Sequence, residues 1–159
     1  MSAVAIVPLA DRPDCVPLLA RWHHDEWAGL YEGAWTLEEC ESELRDHASR
    51  RHLPTTLVAL EDGRPLGSVS LVREDAPEFR DLGDAWLASL YVLPAARGRG
   101  LGKRLVRELV ALAAREGLPR LWLFTPEHEA FYAGLGWQRV GEASLHGRRV
   151  TLMDIRPQA

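Results

Sequence analysis

Cysteine is scarce in this chain. Only Cys15 and Cys40 occur among 159 residues, far apart and in no metal-ligand pattern. The expectation is a reduced, cytoplasmic setting with no metal. Long hydrophobic runs are missing too. None approaches the ~20 residues of a membrane span, so no membrane partner is expected. The opening "MSAVAIVPLADRPD" lacks the basic flank and long apolar region of a signal peptide. No repeat or low-complexity stretch interrupts the chain. Neither charge sign dominates: 19 basic and 23 acidic residues give a net charge of −4. That balance argues against a general nucleic-acid binder and mildly favours a cationic substrate. The length fits one domain, residues 1–159, able to bury roughly 68–70% of its unfolded surface without staples.

What is present reads as alternating strands and helices. "AVAIVPLA" reads as a first strand. Asp11 to Pro13 then predicts a helix start, with the helix reaching about Trp27. Thr36 and Glu39 form a T-x-x-E capping box for a second helix over 37–50. "TTLVALE" (55–61) and "GSVSLVR" (67–73) predict a hairpin around "EDGRP". Residues 74–84 read as a polar loop, and "AWLASLYVL" (85–93) as a strand. Leu101, Leu105, Leu109 and Leu112 recur at helical spacing, and Gly117 and Pro119 stop that helix. "RLWLF" (120–124) is the next strand. Thr125 and Pro126 fit N-cap and N1 of a short helix ending near 134–136. "WQRVGEA" and "RRVTLMDI" predict a closing hairpin around "HG". The order is β α α β β β α β α β β. Residues 85–124 form a βαβ unit whose strands should be parallel. The fold class is α/β (α+β): a mixed sheet covered by helices.

The stretch "VLPAARGRGLGK" (92–103) sits between that strand and that helix. Gly98, Gly100 and Gly102 permit positive φ and close approach of a ligand to the backbone. N–H groups entering a helix N-terminus converge where the dipole favours negative charge. The arrangement predicts a phosphate or pyrophosphate cradle, with Arg97, Arg99 and Lys103 beside it. Two nucleotide fingerprints fail. Arg97 and Arg104 stand where a Walker A loop needs glycine and Ser/Thr. Lys103 stands where G-x-G-x-x-G needs its third glycine.

R-x-x-G-x-G is met by Arg97, Gly100 and Gly102. "LYVLPAARGRGLGKRL" resembles the acetyl-CoA-binding motif of the GNAT superfamily of N-acetyltransferases. "FTPEHEAFYAGLGW" resembles the second motif of that family. Both occur in the family order, and the element order matches over about residues 4–155. The resemblance implies a GNAT-like, largely antiparallel sheet with a central parallel βαβ unit. It implies acetyl-CoA as co-substrate, with its pyrophosphate on the backbone of Arg97, Gly98, Arg99, Gly100, Leu101, Gly102 and Lys103. It implies pairing of the pantetheine arm with the main chain of Leu90, Tyr91 and Val92. An amide at Val92 would polarise the thioester carbonyl. Tyr132 matches the tyrosine that protonates the departing thiolate, and Phe131 packs against cofactor or core. A phenol of pKa ~10 is protonated at neutral pH and able to donate.

The general base is not assigned by this match. The position where many relatives carry a glutamate is Trp86, which cannot accept a proton. Asp84, Glu26 or water remain open. "HHDEW" (23–27) holds four potential metal ligands, but His23 and His24 diverge around a helix. "HEAFY" (128–132) has Tyr132 where H-E-x-x-H needs its second histidine. Trp22, Trp27, Tyr31 and Trp35 serve as core or as a substrate wall, and Glu32 is a candidate for meeting an ammonium group. The expected activity is acetyl transfer to a small-molecule amine or peptide N-terminus by direct attack, in a monomer or homodimer. No cysteine lies in either motif, which disfavours a covalent acetyl-cysteine. The alternatives are a non-catalytic acyl-CoA-binding or sensor module, and transfer of a longer acyl group.

Overall fold

A computed structural model describes residues 3–31 and 35–158 of the chain. In chain order these form β1 (Val4–Pro8), α1 (Val16–Trp27), α2 (Leu37–His47), β2 (Thr55–Glu61), β3 (Arg64–Val72) and β4 (Trp86–Val92). They continue with α3 (Leu101–Arg115), β5 (Leu121–Thr125), α4 (Glu129–Ala133), β6 (Gln138–Leu145) and β7 (Arg148–Ile155). The strands make one seven-stranded sheet in the order β1-β2-β3-β4-β5-β7-β6. Every pairing is antiparallel except β4 with β5.

Strand alternation sends side chains to opposite faces, and each face acquires its own helices. Leu57, Ala59, Val69, Leu71 and Leu87 pack with Leu105, Val106 and Leu109 of α3. Val58 and Leu60 face the other way, against Val16, Leu19 and Ala20 of α1 and Cys40 and Leu44 of α2. A third cluster joins Phe79, Trp86, Trp122, Val150 and Leu152 where β4 meets β5.

Local chemistry accounts for most boundaries and for the departures from expectation. Thr36 and Glu39 form the reciprocal capping box, so α2 begins at Leu37, but it ends at His47 rather than at 50. The first helix starts at Val16. Two 3₁₀ turns, Leu9–Asp11 and Pro13–Cys15, absorb the residues around Arg12, whose φ of −139° is not helical. The β2–β3 turn is shorter than "EDGRP". Asp62 and Gly63 both take positive φ, which suits a two-residue hairpin loop, so Arg64 and Pro65 already pair with β2. Thr125 does not cap α4. Its Oγ1 accepts from the His128 N–H at 3.0 Å, closing a turn that delays the helix to Glu129.

Under α1 and α2 the sheet carries a polar stripe. His23, 3% exposed, shares a hydrogen bond with Ser68 Oγ at 3.0 Å. His47 Nδ1 meets Thr56 Oγ1 at 3.0 Å, and Thr56 Oγ1 meets Ser70 Oγ at 2.7 Å. Burial, then the charge of His47, lowers the His23 pKa to about 4. Burial also lowers that of His47. Between pH 6.5 and 4 the unfolded chain binds the His23 proton and the folded chain does not. Stability therefore falls as pH drops through that window, by on the order of 3 kcal/mol from His23. His23→Gln, which keeps a hydrogen-bonding group for Ser68, should flatten the fall in urea midpoint between pH 7 and 4.5. An unchanged slope would place the acid sensitivity elsewhere.

Candidate active site

The site forms where the sheet comes apart. β4 and β5 pair only at Trp86↔Trp122, with the Trp122 N–H donating to the Ala85 carbonyl at 3.0 Å. Beyond that point β4 has no partner on its β5 side. A bulge adds to the divergence. The β3–β4 register runs from Ser70↔Ala88 to Ser68↔Tyr91, so Ser89 and Leu90 together oppose Val69. Ser89 takes φ 56°, and a bulge bends the strand that carries it. The Leu93 N–H donates to the Leu66 carbonyl on β3 at 2.8 Å. By alternation Val92 turns its backbone groups to the open edge, where Arg97 Nε donates to its carbonyl at 2.9 Å.

The open edge borders a cleft of about 500 Å³. Leu90, Tyr91 and Val92 form one wall. Arg97, Gly98, Gly100, Leu101, Gly102 and Lys103 form the next, and Phe131 and Tyr132 the third. The sequence-predicted residues are thus brought together, with Arg99 the exception. Its guanidinium turns away to pair with the Glu61 carboxylate at the end of β2. That pairing spans 38 positions and was invisible locally.

Gly98 and Gly100 take φ 82° and 79°. Gly100 is the N-cap of α3 with no side-chain cap, and the first helical bond runs from the Arg104 N–H to the Gly100 carbonyl at 3.1 Å. The N–H groups of Leu101, Gly102 and Lys103 therefore have no acceptor within the helix. They open beside Lys103, which is exposed and cationic. A diphosphate fits this cradle. The unpaired edge of β4 fits an extended, amide-bearing chain. The residues present suit coenzyme A.

Tyr132 is 7% exposed. Its ring is fixed between Phe131 and Trp137, at centroid distances of 5.0 and 6.0 Å. Burial, then the charge of Asp75, raises its phenol pKa well above the usual value. The proton stays in place at any working pH. On the opposite side Tyr91 packs against Trp22 and Trp27, at 5.4 and 6.2 Å. These two tryptophans form an aromatic wall over β4. The Tyr31 side chain and Glu32 lie outside the described residues.

Trp86 is fully buried and stacked with Phe79 and Trp122, and its Nε1–H donates to the Gly83 carbonyl at 2.9 Å. It is core. Asp84 is exposed in the preceding loop, outside the cleft, whereas Glu26 lines it. His24 Nε2 bonds the Trp35 carbonyl oxygen at 3.1 Å, so the two adjacent histidines serve different partners. Sequence reasoning missed the Ser89 bulge and the place of His128 in the cleft. His128 lines the cleft one turn before Tyr132. The proline- and glycine-poor strand gave no signal for a bulge.

The sequence profile of the acetyltransferase (GNAT) family matches residues 17–137. The chain belongs to the GNAT acetyltransferase family. Uncharacterized N-acetyltransferases of Mycobacterium bovis and Mycobacterium tuberculosis are 34% identical over 86 residues, 52% of this chain. The match spans about half the length of those curated relatives, 51%. Among solved structures, an aminoglycoside 6'-N-acetyltransferase complexed with coenzyme A superposes with a TM-score of 0.74 at 18% identity, over 98% of both chains. The PaiA N-acetyltransferase of Thermoplasma acidophilum, also with coenzyme A, gives 0.69 at 17% identity, over 97% of this chain and 99% of that one. YncA of Salmonella typhimurium, a putative acetyltransferase with acetyl-CoA, gives 0.71 at 21%, over 98% and 95%. These likenesses show a shared GNAT fold. Neither GNAT motif of this chain contains Cys15 or Cys40, which are buried and unpaired.

Proposed function

We propose that this GNAT protein transfers an acetyl group from acetyl-CoA to a primary amine by direct attack. The observation that carries the reading is the junction of three features in one cleft: the uncapped glycine-led start of α3, the unpaired edge of β4, and the buried Tyr132. The backbone from Arg97 to Lys103 would hold the pyrophosphate, and Leu90 to Val92 the pantetheine arm. Acetyl-CoA supplies the activated thioester. The Val92 N–H, on the unpaired edge of β4, would donate to the thioester carbonyl oxygen, where negative charge grows as the amine adds. The Tyr132 hydroxyl, in the cleft lining, would give its proton to the departing sulfur. Arg97, braced across the Tyr91 ring at 5.8 Å, adds positive charge at the loop.

A non-catalytic acyl-CoA sensor would need the cleft but no proton donor in it, and the presence of Tyr132 in the lining supports the enzyme. Kanamycin, spermidine and alanine amide represent three amine classes. Wild-type protein should release free thiol from acetyl-CoA with at least one of them, above the amine-free rate. Coenzyme A binding without thiol release from any would favour the sensor.

A further inference from the structure

We propose that Glu26 and the tryptophan wall of α1 form a cation subsite for the acceptor, so that the amine accepted carries a second cationic group. The proposal rests on the acetyltransferase reading above and narrows its substrate class.

The cleft passes through the sheet. On one face Leu90 and Val92 pack with Leu105 of α3 and with Phe131 and Tyr132 of α4. Tyr91, between them in sequence, turns to the other face, where Trp22 and Trp27 lie against its ring at 5.4 and 6.2 Å. Both faces line the one opening, Tyr132 from the first and Glu26 from the second. The start of α3 stands on the first face, where a Cβ on Gly102 would lie 3.5 Å from the Phe131 ring and 3.9 Å from Val92 Cγ2. That face is committed to the cofactor. An acceptor that reaches the thioester without crossing the cofactor comes from the α1 side.

Helix spacing brings Glu26 to that side. It follows Trp22 by four residues and His23 by three, and His23 bonds Ser68 Oγ of β3 at 3.0 Å. Positions three and four apart share a helix face, so Glu26 extends the face of α1 that rests on β3 and β4. It is exposed and lines the cleft, which puts it at the mouth.

The charge of Glu26 is unspent. No hydrogen bond or ion pair holds it among the described residues. Arg97 shares the cleft but gives its Nε–H to the Val92 carbonyl and lies over the Tyr91 ring. Among the described residues of the lining, Glu26 is the one carboxylate. It stands in the last turn of α1, where the helix dipole disfavours an anion and welcomes a cation. Trp22 and Trp27 beside it are only half-buried, and an indole ring attracts a cation. Carboxylate and indoles together suit an ammonium group. The nitrogen that attacks has to be neutral, so it does not keep the charge this subsite holds. That charge belongs to a second group on the same acceptor.

The test measures thiol release from acetyl-CoA with kanamycin and spermidine, which are multiply cationic, and with alanine amide, which carries a single ammonium group. Wild-type kcat/KM should be about tenfold or more higher for at least one of the polycations than for alanine amide. Glu26→Gln keeps the size of the side chain and removes its charge. It should raise the KM of that polycation about tenfold and bring the preference down to about threefold or less. Its Kd for coenzyme A should stay within about twofold, since the cofactor lies on the other face. A wild type that uses alanine amide as well as the polycations would overturn the subsite and leave the transferase reading intact. So would an unchanged KM in Glu26→Gln, an equal loss with all acceptors, or a matching loss of coenzyme A affinity. A wild type that releases thiol with none of the three amines would overturn both.

Discussion

Gly100→Val should abolish coenzyme A binding while leaving the protein folded. Gly100 is the left-handed N-cap of α3, at φ 79° and ψ 12°. A β-branched residue disfavours that conformation, at about 1–2 kcal/mol. No heavy atom stands within 4 Å of a Cβ placed there, so packing adds nothing to the cost. A fold stable by ~5–15 kcal/mol survives such a loss. Relief of the strain would turn the Leu101 to Lys103 amides away from their common focus. The branched side chain would also occupy the face a diphosphate must approach. A loss of at least 100-fold in coenzyme A affinity by calorimetry is expected, with an unchanged far-ultraviolet spectrum. Gly102 provides the contrast. Its Cβ would meet the Phe131 ring at 3.5 Å, ordinary contact, so Gly102→Ala should bind nearly normally. Gly102→Leu would fill the cleft and should not bind. Equal affinities for wild type and Gly100→Val would remove the glycine cradle from the account.

Tyr132→Phe should separate catalysis from binding. The ring is held by Phe131 and Trp137, and phenylalanine keeps those contacts. Only the hydroxyl is lost. The expected fall in kcat is about 10²-fold or more, the usual scale for a positioned proton donor. Coenzyme A affinity should change less than about twofold. The sign of the pH effect is also fixed. Burial and the Asp75 charge raise the phenol pKa, so the wild-type rate should show no alkaline loss from Tyr132 up to pH 10. An unchanged kcat would reassign the hydroxyl to packing.

Asp75 carries a stability consequence opposite in sign to that of His23. Its folded pKa is raised from 3.8 to about 7, so the folded chain binds more protons than the unfolded one between those values. Stability is lost as pH rises through that window. Asp75→Asn should therefore melt higher than wild type at pH 8 and equally at pH 3.5.

The parts of the fold legible in the sequence are those decided within a few residues. The Thr36–Glu39 capping box, the leucine repeat of α3 and the "HG" turn each carry their own physical cause, and each forms. The glycine stretch was legible for the same reason, since positive φ at Gly98 and Gly100 is a local demand. What escaped depends on other strands. The Ser89 bulge exists only through its register with β3. The Arg99 guanidinium leaves the cleft because Glu61 ends β2 beside it. Residues 74–84 read as one polar loop until Ala76 and Phe79 enter the aromatic cluster around Trp86 and Trp122. Thr125 looked like a helix cap because its pattern with Pro126 is the same for a cap and for the turn that precedes one.

Amide hydrogen exchange, resolved by residue with and without coenzyme A, tests the seating of the cofactor most directly. The account predicts slowed exchange at Leu101, Gly102, Lys103 and Val92 on addition of coenzyme A, and none of it in Gly100→Val. Slowed exchange confined to α1 and α2, with residues 98–103 unaffected, would contradict it.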